Sequence, residues 1–222
     1  MANTSEKEPL FSKKNIGLVK DPLTDNNPVT VQVLGICSAL AITAELNASV
    51  IMALSVIFVL GVGNVVISLM RNVIPSSIRI IAQLVVVAAL VIIVDLTLKA
   101  YVPDLAKKLS VFVGLIITNC IIMGRFEAFA LANTPWKSFL DGVGNATGYG
   151  LILVIVGFFR ELLGSGKLFG IPVLGDPVEK TGLYAIGYEN SGFMLLAPMA
   201  LITLGLIIGF QRSRNKNLIE TN

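Results

Sequence analysis

Apolar residues along the chain gather in continuous blocks rather than alternating with polar ones. Residues 1–27 are polar, carry a D-P turn at Asp21 and Pro22, and read as an exposed tail. The first apolar block runs from about 28 to 44, is short, and is interrupted at Gly35, two residues before Cys37. The second, about 48–70, contains Gly61, Gly63 and Asn64 and ends in the basic turn R-N-V-I-P-S-S-I-R, with Pro75 as breaker. The third, about 78–99, holds Gln83 and Asp95. A polar connection with Pro103, Lys107 and Lys108 leads to the fourth, about 109–123, again short and again carrying a cysteine, Cys120. The fifth, about 142–159, ends in R-E-L-L-G-S-G-K-L-F-G, and the sixth spans about 192–210. The connection at 164–191 is Gly/Pro-rich and reads as an exposed loop.

Continuous blocks of this kind predict membrane-spanning helices of roughly 20 residues, not the period-two strands of a barrel. The expected fold is an all-α integral membrane protein of about six transmembrane helices, with short half-helices carrying the cysteines. Blocks one and four match: each is short, centred on a cysteine and followed by a glutamate (Glu45, Glu127). Block two ends in Leu69-Met70-Arg71 and block five in Phe158-Phe159-Arg160. Three spans per repeat require the second repeat to enter from the opposite side, so the repeats are inverted. The expected boundaries are a tail over 1–27, a membrane domain over 28–211 (repeats about 28–100 and 109–211) and a tail over 212–222.

Composition agrees: of 222 residues 55% are hydrophobic, with a mean hydropathy of +0.82. The net charge of +3 comes from loop and tail residues and marks no nucleic-acid surface. The N-terminus has no apolar segment with a cleavage site, so no signal peptide is expected. Roughly 11 Lys and Arg fall on the N-terminal side against roughly 6 opposite, which predicts both termini in the cytoplasm.

The chain has two cysteines and no histidine, so a soft metal would have to be held by sulfur. Cysteine in a membrane helix is more often a packing residue than a ligand. Here Cys37 and Cys120 recur at matching places in the two repeats, near the expected midplane. A bare thiolate is costly at that depth, and a metal removes that cost. Two sulfurs are half of the usual set for an iron–sulfur cluster, which points to a second chain. Gly35 and Gly124 beside the cysteines hint at half-helices; ordinary spans packed closely are the other reading.

Other features have plainer readings. Asp95 falls late in its span, close enough to the interface to be solvated or paired with Lys99; a place on a sodium pathway is the other reading. Glu45, Glu127 and the Arg160–Glu161 pair read as anchors and local ion pairs. Gly144-x-x-x-Gly148 marks a close helix crossing. G-S-G at 164–166 lacks phosphate-loop spacing, and no dinucleotide fingerprint or catalytic triad is present. The chain therefore carries no complete active site and is not expected to bind NADH itself.

Three strings, L-G-I-C-S-A-L, S-V-F-V-G-L-I-I-T-N-C-I-I-M-G-R-F-E-A-F-A and F-F-R-E-L-L-G-S-G-K-L-F-G, resemble the paired membrane subunits shared by the sodium-translocating NADH:quinone oxidoreductase (Nqr) and the Rnf complex, over roughly residues 27 to 210. The last string is more like the Nqr side. In that family two homologous subunits, of D and E type in Nqr, lie in opposite orientations and enclose an intramembrane [2Fe-2S] cluster, each supplying two cysteines. The resemblance implies that Cys37 and Cys120 are ligands and that the E-type subunit is the partner. It also implies a six-subunit complex, with further subunits of A, B, C and F type, in the membrane lipid of the bacterial inner membrane. NADH, FAD, FMN, riboflavin and ubiquinone would lie elsewhere in that complex. Electron relay coupled to sodium export is the implied function (EC 7.2.1.1). A matching Rnf subunit, a stand-alone inverted-repeat transporter and a scaffold with inert cysteines are the alternatives.

Overall fold

A computed structural model of the chain describes residues 13–23, 26–101, 103, 114–168, 171–172 and 192–214. Seven α-helices lie wholly among them, and residues 114–117 form a further helical stretch. The seven are α1 (Lys13–Lys20), α2 (Ile36–Ile42), α3 (Leu46–Met70), α4 (Arg79–Tyr101), α5 (Cys120–Arg125), α6 (Pro135–Ser165) and α7 (Ala197–Arg214). A π-helical turn, Phe126–Ala130, continues α5. The only departure from helix among the described elements is a two-residue ribbon, Lys167–Leu168 against Ile171–Pro172, which occupies the described part of the 164–191 connection.

The all-α membrane fold is as expected, but the six apolar blocks do not become six equal spans. Among the described residues only α3, α4 and α6 are long and apolar enough to cross a bilayer, and α7 is a shorter apolar helix. Blocks two, three and five become the full-length helices, and block six becomes α7. Blocks one and four are broken: block one holds the seven residues of α2, and block four holds a helical stretch over 114–117 before the break and the six residues of α5 after it, with residues 109–113 outside those described. Sequence hydrophobicity measures the total apolar run, but not whether the backbone stays helical through it. Block one breaks at Val33 and Gly35, which both adopt left-handed backbone (φ 59° and 79°). Glycine accepts this freely, whereas a β-branched valine is strained there. Block four breaks at Thr118–Asn119, where the Asn119 carboxamide oxygen accepts the Ile121 N–H at 3.3 Å and caps α5.

The two longest buried surfaces belong to α3 and α6, which cross antiparallel. A Cβ on Gly157 would meet Ser49, one on Gly150 would meet Ala53, and one on Gly142 would meet Leu60, Gly61 and Asn64. The contacts climb one helix as they descend the other. Small residues at each station let the backbones close in, since lipid supplies no hydrophobic drive for helices to associate. The centre of the core is built here, from Met52, Val56, Leu60, Ile67, Ala146, Leu153 and Val156. By contrast α4 has 17% of its most apolar stretch buried, and it meets the core along one face, through Gln83, Val87, Leu90 and Val91.

The expectation of an exposed N-terminal tail over 1–27 is corrected for its described part, 13–23 and 26–27; residues 1–12 and 24–25 lie outside the described residues. Helix α1 and the turn after it lie against α6. Gly144 leaves room for the backbone of Leu18 and Val19, and Gly148 for that of Pro22. Asn27 is buried and its amide donates to the Gly148 carbonyl at 3.1 Å. The Gly144-x-x-x-Gly148 pattern does mark a close crossing, but its partner is the N-terminal segment that the polarity of residues 1–27 had placed in solvent.

Candidate functional site

Helix α6 serves as the frame on which both cysteine half-helices are hung. Near its middle the Tyr149 hydroxyl bonds Ser38 Oγ of α2 at 2.6 Å and accepts from Asn119 Nδ2 at 3.3 Å. Toward its C-terminal end Arg160 donates to Thr43 Oγ1 at 2.5 Å and to the Leu40 carbonyl at 3.4 Å, both at the far end of α2. Toward its N-terminal end Asp141 forms a two-pronged ion pair with Arg125, the last residue of α5. Advancing along α2 thus carries the contacts up α6 from Tyr149 to Arg160, and advancing along α5 carries them down it from Tyr149 to Asp141. The half-helices run in opposite directions and their starts meet at Tyr149. That is the arrangement an inverted repeat demands.

The cysteines occupy those starts. Cys120 is the first residue of α5, and Cys37 is the second of α2. Asn119, immediately before Cys120, donates to Ser38, immediately after Cys37, at 3.3 Å. Gly35, the cap residue of α2, lies so close to the Tyr149 ring that a Cβ would sit 2.8 Å from it. The backbone flanking each thiol is therefore buried and tied down, while both thiols are exposed and unoxidised. Among the described residues no group of three or more His, Cys, Asp or Glu side chains is placed to hold a metal. Two thiols are a fitting half-set for an iron–sulfur cluster and an insufficient whole one.

The matched helix ends do matched work. Arg71, after α3, donates to the Asn133 carbonyl at 2.8 Å, in the elbow between the π turn and α6. Arg160 holds the corresponding elbow between α2 and α3 and further donates to the carbonyls of Met194, Leu195 and Leu196. Its neighbour Glu161 accepts the Leu46 N–H at 2.5 Å. Arg160 and Glu161 were expected to form a local ion pair; they instead reach different helix ends.

The remaining carboxylates follow the plain readings. Asp95 pairs with Lys99 at 2.6 Å. Glu127 pairs with Arg79 at 2.9 Å and accepts from Gln83 at 3.1 Å. The Arg79 guanidinium, helped by the Gln83 amide, holds the Glu127 carboxyl below the usual carboxylate range. Glu45 is the cap residue of α3.

Sequence reasoning missed the residues that place the thiols: Ser38, Arg125, Asp141 and Tyr149. Asp141 stands one residue before the fifth apolar block and is buried. Around it Asn64 Oδ1, Ser138 Oγ and Asn145 Oδ1 are buried without hydrogen-bond partners. A signal was present, since Ser138, Asp141 and Asn145 recur at the spacing of one helix face.

Comparison with known proteins is consistent across the chain. The model of a family described as "Rnf-Nqr subunit, membrane protein" matches residues 15–208. The D-type subunit of the Na(+)-translocating NADH-quinone reductase of Pasteurella multocida is 52% identical over 209 residues, covering 94% of this chain and 98% of that protein. The D-type subunit of the same name from Photobacterium profundum is 53% identical over 209 residues, covering 94% and 93%. These matches extend the resemblance read from three short strings to almost the whole chain, and the chain belongs to the Rnf-Nqr family of membrane-protein subunits.

Proposed function

We propose that this chain is the D-type membrane subunit of a sodium-translocating NADH:quinone reductase. With a homologous E-type subunit it holds an intramembrane [2Fe-2S] centre through Cys37 and Cys120, in a complex whose electron flow drives sodium export. The observation that carries this reading is the meeting of two opposed half-helices at Tyr149, with a cysteine at each start. Both thiols are exposed in the isolated chain, and two more ligands must come from elsewhere. A partner with the same construction, docked over this face, supplies them.

The chain's own residues support the relay by fixing the ligand arms. Asn119 caps the Cys120 arm, and its other atoms reach the Cys37 arm. Arg125–Asp141 anchors one arm to α6, and Arg160 with Glu161 anchors the other. A bound cluster would supply one-electron transfer at this level of the bilayer. Burial of the surrounding backbone and packing against a partner would keep water away. The unpartnered buried oxygens of Asn64, Ser138 and Asn145 support the sodium side of the reading, because a hard cation takes oxygen ligands. The transporter alternative is weaker: the residues at the meeting point are thiols, one hydroxyl pair and one amide, with no charged group among them.

The reading is tested by replacing Cys37 with serine in this subunit alone and assaying the assembled complex. NADH-driven quinone reduction and sodium uptake into inverted vesicles are both expected to fall to background. Full quinone reduction in that complex would refute the relay.

A further inference from the structure

We propose that Tyr149 is a positioning residue that pins both cysteine arms to one atom, setting how far apart the two ligand-bearing helix starts stand. Its consequence for the iron centre rests on the function proposed above; the pin itself does not.

Tyr149 is fully buried, and its single polar atom is bonded to both arms. The bonds have a definite order. Ser38 donates its hydrogen to the Gly35 carbonyl at 2.9 Å, so Ser38 Oγ must accept from the tyrosine. The Tyr149 oxygen, having given its hydrogen to Ser38, accepts from Asn119 Nδ2. Asn119 uses its other atom, Oδ1, to accept the Ile121 N–H. An unbroken chain of donors thus runs from the first turn of α5, through Asn119, Tyr149 and Ser38, to Gly35 at the start of α2. Every side chain in it is buried.

The ring is held as firmly as the hydroxyl. Gly35 has left-handed backbone (φ 79°) and no space for a Cβ against the ring, whose nearest atom would be 2.8 Å away. Neither arm can slide along α6 without breaking a bond to Tyr149. In a low-dielectric interior a broken bond of this kind is not replaced by water. The distance between the arms is therefore set where the phenol meets Ser38 and Asn119, which also bond each other directly at 3.3 Å.

The test is Tyr149→Phe in the assembled complex, which keeps the ring on Gly35, removes the hydroxyl's bond to each arm and leaves the weaker, direct Asn119–Ser38 bond. Hydrogen exchange is followed by mass spectrometry over the segments 35–42 and 119–125. Exchange is expected to rise roughly tenfold in both segments, since one hydrogen bond is lost on each side. The reduced-state paramagnetic spectrum of the iron centre is expected to broaden and its midpoint potential to shift, with iron retained. Exchange unchanged in either segment overturns the proposal, because the hydroxyl then does not serve that arm. If both segments loosen but no complex, including the unaltered one, shows an iron signal, the pin stands and the cluster reading fails. Should Tyr149→Phe fail to assemble, Ser38→Ala interrupts the same chain and leaves the tyrosine in place. It frees the Cys37 arm from the tyrosine while the Asn119–Tyr149 bond remains, so exchange is expected to rise in 35–42, and no rise there overturns the proposal.

Discussion

Arg160 and Glu161 are neighbours in α6 and hold the two sides of one elbow. The guanidinium takes the Leu40 carbonyl and the Thr43 hydroxyl where α2 ends, and the carboxylate takes the Leu46 N–H where α3 begins. Each charge meets the helix end of opposite partial charge, and each satisfies backbone groups that the break between helices would otherwise orphan. Arg160→Ala is expected to destabilise the complex by roughly 2–4 kcal/mol, because several buried oxygens lose their donor at once. Glu161→Gln keeps an acceptor and is expected to cost about 1 kcal/mol. Arg71→Ala, which removes one of the two side-chain donors to the Asn133 carbonyl and leaves Ser68 Oγ, is expected to cost about 1 kcal/mol or less. Thermal unfolding of the purified complex ranks the three, and equal losses would contradict the account.

The ion pair of Arg125 and Asp141 anchors the other arm, and both side chains are largely out of solvent. Removing either partner alone strands a charge in the protein and is expected to cost about 3–5 kcal/mol. The double replacement Arg125→Met with Asp141→Leu is expected to cost less than the sum of the single changes. A double-mutant cycle on assembled yield and melting temperature checks this, and simple additivity would show that the two residues act separately.

The N-terminal segment is held by the absence of side chains on α6. A methyl group at Gly148 would stand 2.5 Å from the Pro22 carbonyl oxygen, a backbone atom that cannot swing aside. Gly148→Ala is expected to cost roughly 1–3 kcal/mol through this clash. Limited proteolysis is expected to cut the segment before Asn26 faster in the variant than in the unaltered complex. An unchanged cleavage rate would mean that the segment is held by something else.

Glu127 gives a pH dependence with a definite sign. Its carboxyl is held below the usual range by Arg79 and then Gln83. The bond between the π turn and α4 therefore contributes its full stability above the ordinary carboxylate value. That contribution is lost as pH falls through the lower, folded-state value. Because the carboxylate is half exposed, the effect is small and weakens with salt. Comparing Glu127→Gln with the unaltered protein between neutral and acid pH is expected to show a stability gap that closes on acidification. A gap that widens would reverse the sign.

What could be read from the sequence, and what could not, divides along physical lines. The long helices α3, α4 and α6 were legible because an uninterrupted apolar run of span length leaves the backbone few alternatives in lipid. The matching of Arg71 with Arg160 was visible as a pattern, but its meaning, a donor for the elbow of the other repeat, needed three dimensions. The breaks at Val33–Gly35 and at Asn119 were only half legible. Glycine before a cysteine is compatible with a continuous helix, and a left-handed valine has no sequence signature at all. The packing of residues 17–23 on α6 was hidden because their polarity argues for solvent, while the decisive feature, bare backbone at Gly144 and Gly148, lies in a different helix. Cys37 and Cys120 stood out by number and placement; Tyr149 did not, since an aromatic in an apolar span is ordinary until its hydroxyl is seen to join two helices.

The central claim is that Cys37 and Cys120 are two ligands of one shared intramembrane centre. The direct measurement is iron content and the reduced-state spectrum of the purified complex, with Cys37→Ser, with Cys120→Ser and unaltered. Each change is expected to remove the same iron signal while the other subunits still assemble. Full iron and an unchanged spectrum in both variants would contradict the claim and leave the two cysteines as packing residues.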